Sequence, residues 1–512
     1  MSNHQICQLA WSHLQAGRVV DAKNLFDDVL KRDARHATAL HGLGRIAQLA
    51  GQHQAALDLM SQAVQRDAQN AELHFHLGVT QAQLKRLDES LRSMRTAASL
   101  APDVSRYHAV LGTLLEQRGA LEEAAARLRR AIELDPSDAP AHVNLSSALL
   151  KLGLMDEAQT IAQRALEIDP QLALAYRNLS AAQLECGQVS QAMENCRAAL
   201  RIDPSDADAH FGLAFALLLT EQYAEGWQEY EWRWETRNDP TPLPQLPGPR
   251  WTGDDPAGRR IFVHSEQGLG DSIEFARYLP LLAGKGATVL FRCQPLLTRL
   301  MQTLVNVTIV EPGKPLPSYD AHIPLMSLPR FVHATQTVPA DVPYLHADPQ
   351  KVESWRVRIA ALPPGRRIGL CWSGNPQQPR DKFRSVDPRM LAPLSDVPNV
   401  QWVSLQKPLR GPKPPLELHE FTSEFHDFSE VAALMMNLDL IVSVDTSIAH
   451  LAGALARPAW TVLGFLPDFR WLLERSDSPW YPTMRLFRQP ARGDWDSVIK
   501  MVAAELKALT QA

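Results

Sequence analysis

A chain of 512 residues is too long for one hydrophobic core and divides into several domain-sized units. With 45% hydrophobic and 21% charged residues it has the makeup of folded globular protein and not of a disordered chain. A net charge of −5 and a pI near 6.4 lack the basic footprint of a nucleic-acid binder, which excludes DNA and RNA as the main partner.

The first ten residues, MSNHQICQLA, have neither a basic start nor a continuous apolar core, so no secretory signal is expected. No window reaches the roughly 18 to 20 uninterrupted apolar residues of a membrane-spanning helix. Cys7, Cys186, Cys196, Cys293 and Cys371 are scattered and form no Cys-x-x-Cys pair for zinc or redox chemistry. A reduced, cytoplasmic protein is the expectation.

Of the 37 prolines only five precede residue 238, and Pro102, Pro136, Pro170 and Pro204 among them stand 34 residues apart. Gly44, Gly78 and Gly112, each after a leucine, share this period, as do two alanine columns that include Ala124, Ala158 and Ala192 with Ala131, Ala165 and Ala199. Small residues let two helices approach closely, and proline stops the second helix before the next pair begins. This repeated pair of amphipathic helices resembles the tetratricopeptide repeat in period and signature. Six repeats from about residue 3 to 206, with a degenerate seventh ending in GWQEYEWRW, predict an α-solenoid over residues 1–235. The resemblance implies a superhelix whose inner face binds protein or peptide. Asn144 and Asn178 occupy one repeat position, and an asparagine amide both accepts from and donates to an extended backbone. The O-linked N-acetylglucosamine transferases, similar in carrying such an array, use an asparagine ladder in this way, which makes Asn144 and Asn178 candidate peptide holders. Gly42, His76, Val110 and Gly212 at the equivalent positions leave a ladder of two rungs, and two asparagines on a wet helix face are the other reading.

Residues 236–258, TRNDPTPLPQLPGPRWTGDDPAG, are too rich in proline and glycine for a helix and mark a linker. After it, short apolar or β-branched runs predict strands at 261–264, 288–291, 307–310, 367–371, 401–405, 440–443 and 459–463. Helical stretches at 272–283, 291–304, 428–436 and 446–456 alternate with them, which predicts parallel sheets with helices on both faces. Ligands of such sheets bind at the carboxyl ends of strands.

Two strand-to-helix junctions stand out. In HSEQGLGDSIEFARYLP, residues 264–280, Gly268 and Gly270 let the backbone come close to a ligand and Asp271 opens a helix. In SVDTSIAHLAG, residues 443–453, Asp445, Thr446, Ser447 and His450 gather where a helix begins, with Thr446 and His450 on one face. A helix start offers N–H donors and partial positive charge to phosphate. Asp445 would repel a diphosphate, so it is expected to cap the helix or accept from sugar hydroxyls. Cations come from WSGNPQQPRDKFRS, residues 372–385, where Lys382 and Arg384 are the candidate phosphate partners. Ser373 and Asn375 in that polar loop, and Gln406 after the strand ending at Leu405, complete the candidate donor site. The two Asp-x-Asp sequences, Asp206 to Asp208 and Asp494 to Asp496, start helices and read as caps, so no metal is expected.

GLGDSIEFARYLPLL, GLCWSGNPQQPRDKFRS and DLIVSVDTSIAHLAGALARPAWTVLG, in that order, resemble the ADP-heptose:lipopolysaccharide heptosyltransferases. The tail DFRWLLERSDSPWYPTMRLFRQ is similar to bacterial proteins that join a tetratricopeptide array to such a domain. Covering about residues 258 to 505, the resemblance implies an α/β GT-B fold with two Rossmann-like lobes: a short acceptor-side lobe at 259–362, a sugar-nucleotide lobe at 363–490, and a C-terminal helix at 491–512. It implies a nucleotide-sugar donor and inversion without a metal or other cofactor. Carried over motif by motif, Asp271 takes the proton of the acceptor hydroxyl, Lys382 meets the diphosphate, and Asp445, Thr446 and His450 hold the donor. The expected function is transfer of a sugar to a hydroxyl of a protein acceptor selected by the array. The alternatives are an enzyme of lipopolysaccharide or surface-glycan synthesis, and a non-catalytic scaffold with a decayed transferase domain.

Overall fold

The computed structural model describes residues 1–236, 243–332, 337–378, 380–408 and 412–511. Residues 237–242 of the linker read at 236–258 lie outside the described residues. The chain divides into two compact units, Met1–Cys186 with Glu194–Pro204, and Gly187–Met193 with Ser205–Ala512.

The first unit is built from antiparallel helix pairs: α1 (Asn3–Gln15) with α2 (Val19–Arg32), α3 (Ala37–Leu49) with α4 (His53–Arg66), α5 (Ala71–Gln83) with α6 (Leu87–Leu100), α7 (Ser105–Arg118) with α8 (Leu121–Leu134), α9 (Ala139–Leu152) with α10 (Met155–Ile168), and α11 (Ala173–Glu185) followed by α12 (Val189–Ile202). The period of 34 read from the sequence is the length of one such pair with its turns. Its small residues sit where the helices touch: a Cβ on Gly112 of α7 would stand 2.5 Å from Leu128 Cγ of α8. Ala124, Leu128 and Ala131 of α8 are fully buried against that contact, and burial of a leucine such as Leu128 stabilises by about 1.5–3 kcal/mol.

A seventh pair, α13 (Ala207–Leu219) and α14 (Tyr223–Glu229), belongs to the second unit. The sequence ADAHFGLAFALLL is apolar on nearly every side, and a helix of that kind is buried from more than one direction. Trp227 of α14 packs edge-on to Phe275 and to Phe469, each at 5.7 Å between ring centroids, so the last repeat supports the α/β part directly.

Ten strands follow among the described residues: β1 (Arg260–His264), β2 (Thr288–Arg292), β3 (Val307–Ile309), β4 (Ala321–Pro324), β5 (Arg366–Cys371), β6 (Val400–Ser404), β7 (Leu418–Glu420), β8 (Leu440–Val444), β9 (Ala459–Leu463) and β10 (Met484–Arg488). They form two parallel sheets, one of order β3-β2-β1-β4 and one of order β10-β9-β8-β5-β6-β7. The second order is that of a complete doubly wound Rossmann sheet, and the first is the same order cut to four strands. The helices of this part are α15 (Leu269–Phe275), α16 (Tyr278–Gly284), α17 (Thr298–Met301), α18 (Pro329–Val332), α19 (Pro349–Ala360), α20 (Asp381–Arg384), α21 (Phe428–Met435), α22 (Ser447–Ala454) and α23 (Trp495–Gln511). On one face of the larger sheet Ile368, Leu370, Val442, Val462 and Phe487 pack with Trp495, Val498, Val502 and Leu506 of α23. No helix among the described residues is long and apolar enough to cross a membrane.

Candidate active site

In the larger sheet β5 lies between β6 and β8. The connection leaving β5 runs to one side and that leaving β8 to the other, which opens a crevice beyond the carboxyl ends of these two strands. Thr446 and the end of β5 form its floor. The Thr446 hydroxyl lies 3.1 Å from Ser443 Oγ and 3.8 Å from Cys371 Sγ, and it caps α22 by accepting from the Ile448 N–H at 3.3 Å. Thr446 rather than Asp445 is therefore the cap of this helix, which leaves the Asp445 carboxylate for another task.

The loop after β5 is braced from below. Gln406 Oε1 accepts from the N–H groups of Trp372 at 3.1 Å and Ser373 at 2.9 Å, so this buried side chain supports the loop. Ser385 Oγ accepts from the Gly374 N–H at 2.9 Å and donates to Asp381 at 3.0 Å, while Arg384 Nε donates to Asp381 Oδ1 at 3.2 Å. Lys382 and Asn375 stand exposed on the same loop, the ammonium 4.8 Å from the Phe383 ring and the amide oxygen accepting from the Gln377 N–H at 3.1 Å.

The corresponding crevice of the smaller sheet, between β1 and β4, is filled by the chain itself. Glu266 after β1 accepts from the Met326 N–H after β4 at 2.9 Å. Its two oxygens take Arg233 Nε and Nη2, both at 2.9 Å, and Arg233 also donates to Ser327 Oγ at 2.8 Å. Arg233, from the turn that follows α14, is 5% exposed and Glu266 7%. With these groups satisfied by one another, the first lobe offers α15 and not its sheet crevice to a ligand.

α15 faces α22 at very short range. A Cβ on Gly270 would stand 2.9 Å from His450 Cδ2 and 3.4 Å from Ser447 Cα, so only glycine permits the approach. Gly268 is the N-cap of α15, and its N–H donates to Asp271 Oδ2 at 2.8 Å. The preceding Gln267 holds a positive φ of 57°, in the left-handed region that side chains adopt uncommonly. Asp271 Oδ1 accepts from Arg470 Nη2 at 2.5 Å. Arg470 also donates to Asp468 Oδ1 at 2.7 Å through Nη1, and its Nε contacts Glu274 Oε2. One guanidinium thus serves three carboxylates, two from α15 and one from the turn after β9.

Burial pushes the Asp271 carboxyl up and the Arg470 charge opposes this. Glu274, fully buried and with Oε1 lacking a partner among the described residues, is pushed up to about 7 by burial, against the charges of Arg470 and Arg277. Burial and then the neighbouring Asp468 raise Asp445 to about 6, while Arg384 and Arg470 pull it down. His450 is held well below its ordinary value by burial and by Arg470, Arg277 and Arg384, and is a neutral imidazole. Its Nδ1 lies 3.0 Å from Tyr481 Oη, its Nε2 3.7 Å from Asp445 Oδ1, and its ring stacks on Trp471 at 5.2 Å.

The fold brings together Gly270, Asp271, Asp445, Thr446, Ser447 and His450, with Arg384 close enough for its charge to act on Asp445 and His450. Ser373 and Gln406 support the floor, and Lys382 and Asn375 stand on the loop above it. Asn144 and Asn178 lie in the first unit. Asn144 Nδ2 donates to Thr113 Oγ1 at 3.0 Å; Asn178 Nδ2 donates to the Val143 carbonyl at 3.1 Å and to Ser146 and Ser147 hydroxyls at 2.8 Å. Both amide NH2 groups tie neighbouring helix pairs together. Asp206 and Asp494 cap their helices, accepting from the N–H groups of Ala209 at 3.1 Å and Ser497 at 3.0 Å. Sequence reasoning passed over Glu274, Asp468, Arg470 and Tyr481. Glu274 carried a usable signal, standing three residues after Asp271 and so on the same helical face.

The profile of glycosyltransferase family 9 (heptosyltransferase) matches residues 426–473, a span that holds Asp445, Thr446, Ser447, His450, Asp468 and Arg470. Tetratricopeptide repeat profiles match residues 7–71, 47–114, 115–182 and 182–220. Protein FlbA of Caulobacter vibrioides is 28% identical over 323 residues, which are 57% of this chain and 54% of FlbA, so the chain spans about half the length of this curated relative. Among solved structures, YrrB, described as a TPR protein with an unusual peptide-binding site, is 21% identical and covers 36% of this chain and 95% of its own, with a TM-score of 0.34. PilF of Pseudomonas aeruginosa is 19% identical, covering 40% of this chain and 94% of its own with a TM-score of 0.37. The chain joins a tetratricopeptide array to a glycosyltransferase-like α/β part.

Proposed function

We propose that the protein is an inverting, metal-independent glycosyltransferase that moves a sugar from a nucleotide-sugar to a hydroxyl of a polypeptide selected by the repeat array. The observation that carries this reading is the opposition of Asp271, on the first lobe, to the strand-end crevice of the second lobe that holds Asp445, Thr446 and His450. A donor seated in that crevice exposes its anomeric carbon toward α15, and an acceptor hydroxyl beside Asp271 attacks from the face opposite the leaving group. The hydroxyl proton passes to an Asp271 oxygen, the new bond from acceptor oxygen to anomeric carbon forms, and the bond to the nucleoside diphosphate breaks with its electron pair on the diphosphate. Lys382, Arg384 and the first N–H groups of α22 stabilise the charge gathering there. Neutral His450 and the carboxylate of Asp445, 3.7 Å apart, suit the hydroxyls of the sugar as donor and acceptor.

A polypeptide acceptor is supported by the repeat array in the same chain. The heptosyltransferase name of the matched profile favours a second acceptor, a lipid-linked or surface glycan. The test is transfer of label from a panel of radiolabelled nucleotide-sugars in a cell lysate, with the wild type and Asp271→Asn in parallel. Label on protein with the wild type alone is the expected result. Label on lipid or free saccharide assigns the glycan acceptor, and equal transfer by Asp271→Asn removes Asp271 from the chemistry.

A further inference from the structure

Asp271 and Glu274 stand three residues apart on one face of α15 and converge on one cation, Arg470, which reaches them from the second lobe. The arrangement has more acid than base at its centre. Asp468 takes the third arm of the guanidinium at 2.7 Å, and Asp445 stands on the far side of His450. Arg470 is buried, 4.5 Å from the centroid of Phe469 and 5.3 Å from that of Phe275, so aromatic rings pack its guanidinium beside the carboxylates. Glu274 is 0% exposed and its Oε1 meets no donor among the described residues, whereas the Asp271 side chain keeps 21% of its surface open. Arg277, the other cation near Glu274, is spent on the carbonyls of Pro339 at 2.7 Å and Trp480 at 2.8 Å. His450 Nδ1 lies 3.9 Å from Glu274 Oε2 but is directed to the Tyr481 hydroxyl. Arg384 acts on Asp445 from its own side of the crevice.

We propose that Arg470 is the positioning residue of this site: shared between Asp271 and Glu274, it makes the basicity of Asp271 depend on whether Glu274 carries a proton. When Glu274 is ionised, the guanidinium divides its attraction between two carboxylates of α15 and Asp271 binds a proton more readily. When Glu274 is protonated, the guanidinium turns its charge on Asp271 and Asp468, and Asp271 becomes the weaker base. Burial of Glu274 pushes its carboxyl up to about 7, which puts this exchange near neutral pH. The inference rests on the transferase reading for its catalytic meaning, since there Asp271 is the group that takes the acceptor proton.

The test follows the Asp271 carboxyl itself and needs no substrate. The full chain is treated with a water-soluble carbodiimide and glycine ethyl ester, which label protonated and accessible carboxyls, between about pH 4 and 8. Peptide mass spectrometry then gives the pH at which Asp271 labelling is half-maximal in the wild type, Glu274→Gln, Arg470→Gln and Arg470→Lys. Glu274→Gln is expected to lower that midpoint by about one unit, tenfold in labelling rate at a fixed pH above it, and Arg470→Gln to raise it by at least about as much. Arg470→Lys, which keeps the charge but not the three-armed geometry, should fall between Arg470→Gln and the wild type. Circular dichroism reports whether Arg470→Gln folds, and if it does not, Glu274→Gln and Arg470→Lys decide the matter. An Asp271 midpoint unmoved by Glu274→Gln, or moved upward, overturns the proposal. Label transfer by Asp271→Asn is the separate arm: transfer at the wild-type rate defeats the transferase role of Asp271 while leaving the measured coupling as it stands.

Discussion

Replacing Glu274 by glutamine is expected to change how the stability of the second unit depends on pH. The carboxyl of Glu274 is raised from 4.5 to about 7 because it is buried and shares Arg470 with two other carboxylates. A carboxyl raised on folding favours the folded state while it is protonated. Its contribution is complete below the unfolded value and is lost as pH rises through the folded one. At roughly 1.4 kcal/mol per unit, the loss between about pH 4 and 8 amounts to about 3 kcal/mol. Glutamine keeps an oxygen for Arg470 Nε and cannot ionise, so the variant lacks this loss; the lower Asp271 midpoint expected in the same variant acts in the same direction, which makes about 3 kcal/mol the minimum, and groups away from Arg470 cancel in the comparison. Thermal midpoints of wild type and Glu274→Gln, measured across that range, should diverge in favour of the variant by about 6 °C toward the alkaline end, taking roughly 2 °C per kcal/mol for a unit of this size. A gap that stays constant with pH would refute the reasoning, because it would mean that Arg470 keeps Glu274 ionised throughout.

Gly270→Ala places a Cβ 2.9 Å from His450 Cδ2, and since that ring is stacked on Trp471 the backbone must move instead. A stability cost of about 1–3 kcal/mol and loss of sugar transfer are expected, and an unchanged melting point would show that α15 and α22 are not held at this distance. Trp227→Ala removes the ring that packs on both Phe275 and Phe469 and should lower the stability of the second unit by about 3–5 kcal/mol in thermal unfolding. Asn178→Ala removes the amide that ties the Val143 carbonyl, Ser146 and Ser147 of α9 to α11, and since Ser146 Oγ still donates to the Val143 carbonyl at 2.8 Å it should cost the first unit about 1–1.5 kcal/mol. A change below about 0.5 kcal/mol would instead fit an asparagine on a solvated face.

The repeats were legible because their packing is local: the glycine column of Gly44, Gly78 and Gly112, like the alanine columns, recurs at a fixed spacing set by helices adjacent in sequence. Strands of five or six residues with continuous apolar character, such as β5 and β8, were equally plain. β4 and β7 were missed because AHIP and LHE are too short to show a period, and β10 because the arginines of MRLFR break its apolar run. The single helix read at 272–283 is two, α15 and α16. Pro280 has no N–H to donate, and Arg277 folds back to the Glu274 carbonyl at 3.0 Å and on to those of Pro339 and Trp480. The helix read at 291–304 yields its first residues to β2, opens as a tight turn at Pro295–Leu297 and is α-helical over Thr298–Met301. At the site, Asp271 and the Asp445 to His450 cluster showed themselves as polar breaks after apolar strands. Arg470 did not, since its partners Asp271 and Glu274 lie 199 and 196 residues away and only the closed fold brings them within reach.

The measurement that bears most directly on the transferase reading is the melting point of the purified protein against ADP-, UDP-, GDP- and CMP-sugars, with Lys382→Ala and His450→Ala in parallel. Lys382 is exposed, so its loss should leave the unliganded melting point nearly unchanged, whereas a bound donor at a hundred times its dissociation constant stabilises by about 2.7 kcal/mol. A rise with one nucleotide class, absent from both variants, is the expected result. No rise with any donor, or a rise that both variants retain, would contradict a nucleotide-sugar site in the crevice between β5 and β8.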